Sequence, residues 1–180
     1  MKRFAVLAAL SLALIGCATG PKTEEQKKDL GTEVRAAIER LKVRDPSIDK
    51  FFANSSGYVV LPSVGKGGFV FGGAAGDGEV FANGRSIGYC SMNQGSFGAT
   101  IGGQVFDEFI FFKDESSLKQ FTSGTFQFAA QASAVMATSG AGAANDYRDG
   151  VAIFVGSSTG AMLDASIGGQ RFDYHAGSSK

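Results

Sequence analysis

Few side chains in this 180-residue chain are spaced for bond-making chemistry. The nearest pattern is Gly156-Ser157-Ser158-Thr159-Gly160, which fits Gly-x-Ser-x-Gly. A nucleophile elbow needs a strand before that serine and a helix after it. Val151 to Val155 reads as the strand, but Ala161 to Ile167 reads as another strand. The segment is therefore expected to be a hairpin turn, and a hydrolase using Ser158 is not expected. His175 is the only histidine and lies close to the chain end. Neither Cys-x-x-Cys nor His-x-x-x-His occurs, so a zinc site would lack its usual ligands. No catalytic residue, metal or cofactor is expected. Cys90, among Ile87, Tyr89 and Met92, reads as a buried, inert thiol. What remains is binding chemistry. Lys66 sits in Val64-Gly-Lys-Gly-Gly68. Flanking glycines leave backbone N–H groups accessible, and with the ammonium they can hold an anionic headgroup. A solvated loop charge is the other reading. In the first reading Arg85 or Arg35 assists Lys66, and Phe69 and Phe71 meet acyl chains.

The amino terminus carries a different chemistry. Met1-Lys2-Arg3 is a short basic start, and Phe4 to Ile15 is apolar or small apart from Ser11. Such a run suits a secretory signal. It is too short for a stable transmembrane helix of about 20 residues. Leu14-Ile15-Gly16-Cys17 resembles the lipobox of bacterial lipoproteins. That resemblance implies alkylation of the Cys17 thiol by diacylglycerol, cleavage before it, and acylation of the new amino group. Each buried methylene adds about 0.8 kcal/mol, and two or more chains anchor stably. By resemblance to lipoprotein sorting, Ala18 after the cysteine, rather than aspartate, implies an outer-membrane lipoprotein facing the periplasm.

The remaining elements must position these groups. Residues 1–16 are read as signal, 17–22 as lipidated tether and 23–180 as one domain. Without Lys2 and Arg3 the chain holds 15 basic against 17 acidic residues, no surface for nucleic acid. Thr23 and Gln26 fit a capping box. Leu30, Val34, Ala37, Ile38 and Leu41 then recur at helical spacing, with charges of both signs opposite. This amphipathic helix either packs on the domain or lies on the membrane. Asp45-Pro46 ends it and starts a short second helix. From Gly57 the texture is β: strands at 57–62, 67–74 and 79–81, an Asn83-Gly84 hairpin turn, then strands at 85–92, 97–104 and 105–112. Asp114 caps a short helix through Leu118 and Phe121. Residues 129–144 stay ambiguous between helix and strand, and 151–155 and 161–174 close the chain as strands. Ala99–Asp107 repeats as Ala165–Asp173 with two substitutions, which suggests two similar β units. Glycine pairs within strands mark bends or close approach. The fold class expected is α+β, mostly antiparallel β: a Gly-rich curved sheet or partly closed barrel with an N-terminal amphipathic helix and short flanking helices.

Gly57-Tyr-Val-Val-Leu-Pro-Ser-Val-Gly-Lys-Gly-Gly-Phe-Val-Phe-Gly-Gly73 resembles the opening of the SYLF domain. Further matching pieces are Gly95 to Gln104, Phe109 to Phe112, the helix through Leu118 and Phe121, Phe126 to Ser133, and Gly160 to Gly169. Together they cover about residues 45–175. The chain looks like a bacterial lipoprotein branch of that family. The resemblance implies a compact lipid-binding domain that does not catalyse, with Lys66 matching the family's loop lysine. Eukaryotic members bind actin and phosphoinositides through a strongly basic N-terminal segment. Here that helix is charge-mixed, so those ligands are not carried over. The expected partners are the membrane, through the N-terminal lipid, and an anionic phospholipid or another amphiphile. The alternative is a structural platform that docks an envelope protein, with the lipid as tether only.

Overall fold

The computed structural model describes residues 20–128, 135–136 and 140–177. Cys17 and the whole signal segment lie outside them. Helix α1 (Glu24–Arg44) starts where the sequence dictates. The Thr23 hydroxyl accepts from Gln26 N at 3.2 Å, and Thr23 N donates back to Gln26 Oε1 at 3.1 Å. Glu24 and Glu25 in the first turn and Lys42 and Arg44 in the last complement the helix dipole. Asp45 then caps a 3₁₀ turn (Pro46–Ile48) that runs into α2 (Asp49–Asn54). Among the described residues no helix is long and apolar enough to cross a membrane.

Six strands form one curved, unclosed sheet: β1 (Gly57–Gly68), β2 (Phe71–Ala82), β3 (Arg85–Phe112), β4 (Thr125–Phe128), β5 (Val135–Met136) and β6 (Val151–Ala176). All pairs are antiparallel except the short β5–β6 pair. Two further short helices, α3 (Glu115–Thr122) and α4 (Ala141–Ala144), lie among the described residues. The turn at Asn83–Gly84 has both residues at positive φ, 50° and 72°, as its sequence requires.

Two differences from the sequence reading matter. The three segments from Arg85 to Phe112 are one bent strand, and Gly156–Gly160 lies inside β6 rather than in a turn. The β3–β6 ribbon continues through both, with one bulge where Phe106 faces Ser158 and Glu108 faces Val155, because glycines and bulges bend a strand without ending its ladder. Its early part pairs with β2 and its late part with β1, while β1 and β2 pair with each other. The ribbon is thus folded across its middle, and the β1–β2 hairpin zips its two arms together. On the other edge β4 and β5 each pair with a different arm of β6. The internal repeat now has a place: its first residues, Ala99 and Ala165, are register partners, so the copies run away from that pair in opposite directions.

Each face of the sheet has its own core. The inner face packs Leu61, Met92, Ile110, Phe112 and Phe172 beneath Phe121 of α3. The outer face packs Val60, Phe109, Phe111 and Phe154 against Val34, Ala37 and Leu41 of α1 and Phe51 of α2. The amphipathic helix therefore spends its apolar stripe on the sheet. Asp45 locks this corner: it is buried and accepts from Ser47 N and Gly140 N at 3.1 Å each, Gly142 N at 2.6 Å and the Ser47 hydroxyl.

Candidate functional site

At the end of the sheet away from α1 the chain exposes apolar side chains it does not use. β1 turns into β2 at Phe69–Val70, where Phe69 N donates to the Phe71 carbonyl at 3.2 Å. β3 pairs with β1 up to Gly102 and with β2 from Phe97 back, so residues 98–101 face the turn without a ladder to either strand. Around this gap Phe69, Phe71 and Phe97 are 68%, 74% and 62% exposed, and Val70, Ile101 and Val105 are exposed beside them. The Phe71 and Phe97 rings lie 5.2 Å apart. Isolated exposed apolar residues need no explanation, but a contiguous group marks an interaction site. On the outer face, a line of register partners, Gly103, Gly67, Gly73, Gly95 and Gly169, leaves a side-chain-free band below this rim.

The inner face changes character at the same level. Strand alternation and register place Gln104, Lys66, Ala74, Gln94 and Gln170 in one inward row above the apolar core. Gln104 and Gln170 are equivalent positions of the repeat, so both arms of the ribbon contribute the same residue. Glu108 lies beneath this row, opposite Leu61 and Val155, and is 1% exposed. Its Oε2 accepts from Gln170 Nε2 at 3.1 Å, while its Oε1 has no hydrogen-bond partner among the described residues. Burial pushes the Glu108 carboxyl up to about 7, against the opposing pull of the Gln170 hydrogen bond and the Lys66 charge. Above the row Ser96 is 8% exposed and its hydroxyl is also without a partner among the described residues. Its neighbours in register are Gly72 and Gly168.

The residues singled out from the sequence fall into two groups. Lys66, Phe69 and Phe71 come together, Lys66 partly buried on the inner row and the two rings on the rim. Arg85 is paired with Ala82 at the opposite end of β2, roughly 35 Å along the strand from Phe71. Arg35 lies on the exposed side of α1 and donates to the Thr32 hydroxyl at 3.1 Å. Neither arginine reaches the rim. Phe97, Ile101, Val105 and Glu108 were not singled out. For Glu108 a signal existed: a carboxylate inside the apolar run from Val105 to Phe112. For the others the signal appears only with the register.

Reaction chemistry finds little support among the described residues. Cys90 is buried, and burial raises its thiol far above the range in which it is nucleophilic. His175 is exposed on β6, opposite Tyr89. Ser158 is opposite Phe106 within β6, with no helix after it, and its side chain lies outside what the structure describes. No group of three potential metal ligands occurs among the described residues. At the start of the domain, Gly20 N donates to Asp77 Oδ1 at 3.1 Å, beside a cleft of about 300 Å³ between α1 and β1–β2. Burial raises the Asp77 carboxyl, against the Gly20 hydrogen bond and the His175 charge.

Residues 93–177 match the family model Ysc84, described as Las17-binding protein actin regulator. The match supports the SYLF resemblance over most of β3 and on through β6, and stops short of Lys66, Phe69 and Phe71. No curated protein matches the chain.

Proposed function

We propose that this chain is a non-catalytic lipid-binding module held on a membrane. Acylated Cys17 would tether it to the periplasmic side of the outer membrane. The rim of Phe69, Phe71 and Phe97, with Lys66 behind it, engages an anionic lipid or another amphiphile. The observation that carries the reading is the contiguous exposed rim, at the end of the sheet where Lys66 stands. Burying one phenylalanine side chain contributes about 1.5–3 kcal/mol, so the aromatic rings alone suffice for reversible membrane attachment. The SYLF resemblance supports lipid binding for the strands that carry Phe97 and Glu108.

Flotation of residues 18–180 with phosphatidylglycerol-containing vesicles tests this. Binding is expected, and Phe71→Ser and Phe97→Ser should each weaken it roughly ten- to a hundredfold. Absence of vesicle binding would refute the reading. A protein crosslinked in the envelope through the rim would then favour the docking platform, with the lipid as tether only.

A further inference from the structure

Exposed apolar side chains collect at one end of the sheet. Of the seven large ones exposed among the described residues, six (Phe69, Val70, Phe71, Phe97, Ile101 and Val105) stand at the end away from α1, here called the cap. Strand alternation puts Phe71, Phe97, Ile101 and Val105 on the outer face and Gln94, Ser96 and Gln104 on the inner one. Apolar-out and polar-in is the pattern of sheets whose outside meets lipid. The strands of the cap also lose their charges together. Residues 67–76, 92–106 and 151–170 hold none apart from Asp164.

Charges resume on the outer face at one level. Asp77 and Asp173 pair with Ser91 from its two sides. Arg171 donates to Asp173 Oδ1 at 3.1 Å, and Arg40 donates to Asp107 Oδ2 at 3.2 Å. Through the pairs Ala75–Gly65 and Gly65–Val105, Asp107 falls level with Asp77. Val105 is two residues above this belt and Phe71 six, so the exposed apolar side chains occupy a layer from roughly 7 to 20 Å above it. That layer, about 13 Å deep, fits the ~15 Å of hydrocarbon in one leaflet, and the roughly 7 Å beneath it fits the headgroup region. An unclosed sheet stops there, because a full span would leave its edge peptide groups dry. The chain enters the fold at the same belt, where Gly20 N donates to Asp77 Oδ1 at 3.1 Å. Cys17 is three residues before Gly20, a reach of at most about 11 Å.

We propose that the protein stands upright in a single leaflet. The cap enters the acyl layer, the belt of Asp77, Asp107, Arg171 and Asp173 lies among the headgroups, and the acyl chains of Cys17 enter the same leaflet beside it. Two observations of different kinds, where the charges end and where the tether joins the fold, mark one level. The inference rests on the lipid-binding reading above and adds the depth, the orientation and the fuller surface that includes Ile101 and Val105. Each attachment keeps the other close to the leaflet, so the two reinforce one another.

The chain contains no tryptophan, so a single one reports its own depth. Phe97→Trp, Ile101→Trp, Val105→Trp and, at the opposite end of the sheet, Arg85→Trp are made in the full chain and acylated in a bacterial host. Each is reconstituted into phosphatidylethanolamine–phosphatidylglycerol vesicles whose lipids are brominated at defined acyl carbons. Emission of Phe97→Trp and Ile101→Trp is expected to shift to the blue and to be lost most to mid-chain bromines. Val105→Trp should lose most to bromines near the glycerol, and Arg85→Trp should lose nothing. Quenching of the cap variants only by the shallowest bromines overturns the insertion and leaves surface lipid binding standing. Quenching of Arg85→Trp along with them overturns the upright pose. Quenching by brominated lipid supplied only in a second, protein-free population of vesicles overturns the single leaflet, as does an intact mass without acyl groups. No quenching at all, with the protein held by its acyl chains, overturns this inference and the lipid-binding rim together. The three cap variants each replace a different exposed side chain, so one that misfolds leaves the others to decide.

Discussion

Replacing Glu108 by glutamine removes a charge from the driest part of the molecule while keeping an acceptor for Gln170. In the unfolded chain a glutamate titrates near 4.5; in the fold, burial carries Glu108 to about 7. A group raised in this way holds its proton more tightly in the native state. Its contribution to stability is complete below about pH 4.5 and is lost as pH rises through 7. The difference of about 2.5 pK units corresponds to roughly 3 kcal/mol. Lipid-free wild-type protein should therefore weaken by about that amount between pH 4.5 and 8. Glu108→Gln should not, so its advantage should be small at pH 5 and about 3 kcal/mol at pH 8. Urea denaturation of both proteins across that range reads the difference directly. Parallel stability curves would refute the claim that burial outweighs the Gln170 hydrogen bond and the Lys66 charge at Glu108.

Other perturbations separate structure from site. Asp45→Ala strands the backbone N–H groups of Ser47, Gly140 and Gly142 and should cost about 2–4 kcal/mol in chemical denaturation. Burial raises the Asp45 carboxyl, but its hydrogen bonds to Ser47, Gly142 and Gly140 outweigh that and hold it below the ordinary value. Its support should accordingly vanish as pH falls below about 4, which acid titration of the wild type against the variant would reveal. In Gly142→Ala the new methyl would stand 2.7 Å from Ile48 N and 2.8 Å from the Ser47 carbonyl, costing about 1–3 kcal/mol. Gly95→Ala meets nothing within 4 Å and should be neutral or stabilising by up to about 1 kcal/mol, so thermal melts of the pair should diverge. Cys90 should resist alkylation in the native protein at pH 8 and react only as the chain unfolds, as mass spectrometry with a thiol reagent can follow.

The helices were legible because their signals are local. Thr23 with Gln26, Asp45 with Pro46, and Asp114 before Leu118 each fix a terminus within four residues. Asn83–Gly84 did the same for a turn. The ribbon was not legible, because residues 93–96 and Gly156–Gly160 read as breaks when the partner strand is unseen. A ladder of hydrogen bonds to β6 carries β3 through its glycines, and that ladder depends on residues far along the chain. The rim divided in the same way. Phe69 and Phe71 stand beside Lys66 in sequence and were found with it. Phe97 joins them only through its pairing with Phe71. Arg85 was adjacent in pattern but belongs to the other end of a long strand.

The ribbon also governs when the chain can fold. β3 is the central strand, yet its partner is the last element, with Gly88 opposite Ala176 and Phe112 opposite Val151. The inner core needs Phe172, and the outer one needs Phe154. A chain still missing its final segment has neither core complete, and pairing across such separations is slow. The nascent protein would thus stay extended until its end is free. If the proposed export as a lipoprotein holds, late closure would keep the chain threadable through a membrane.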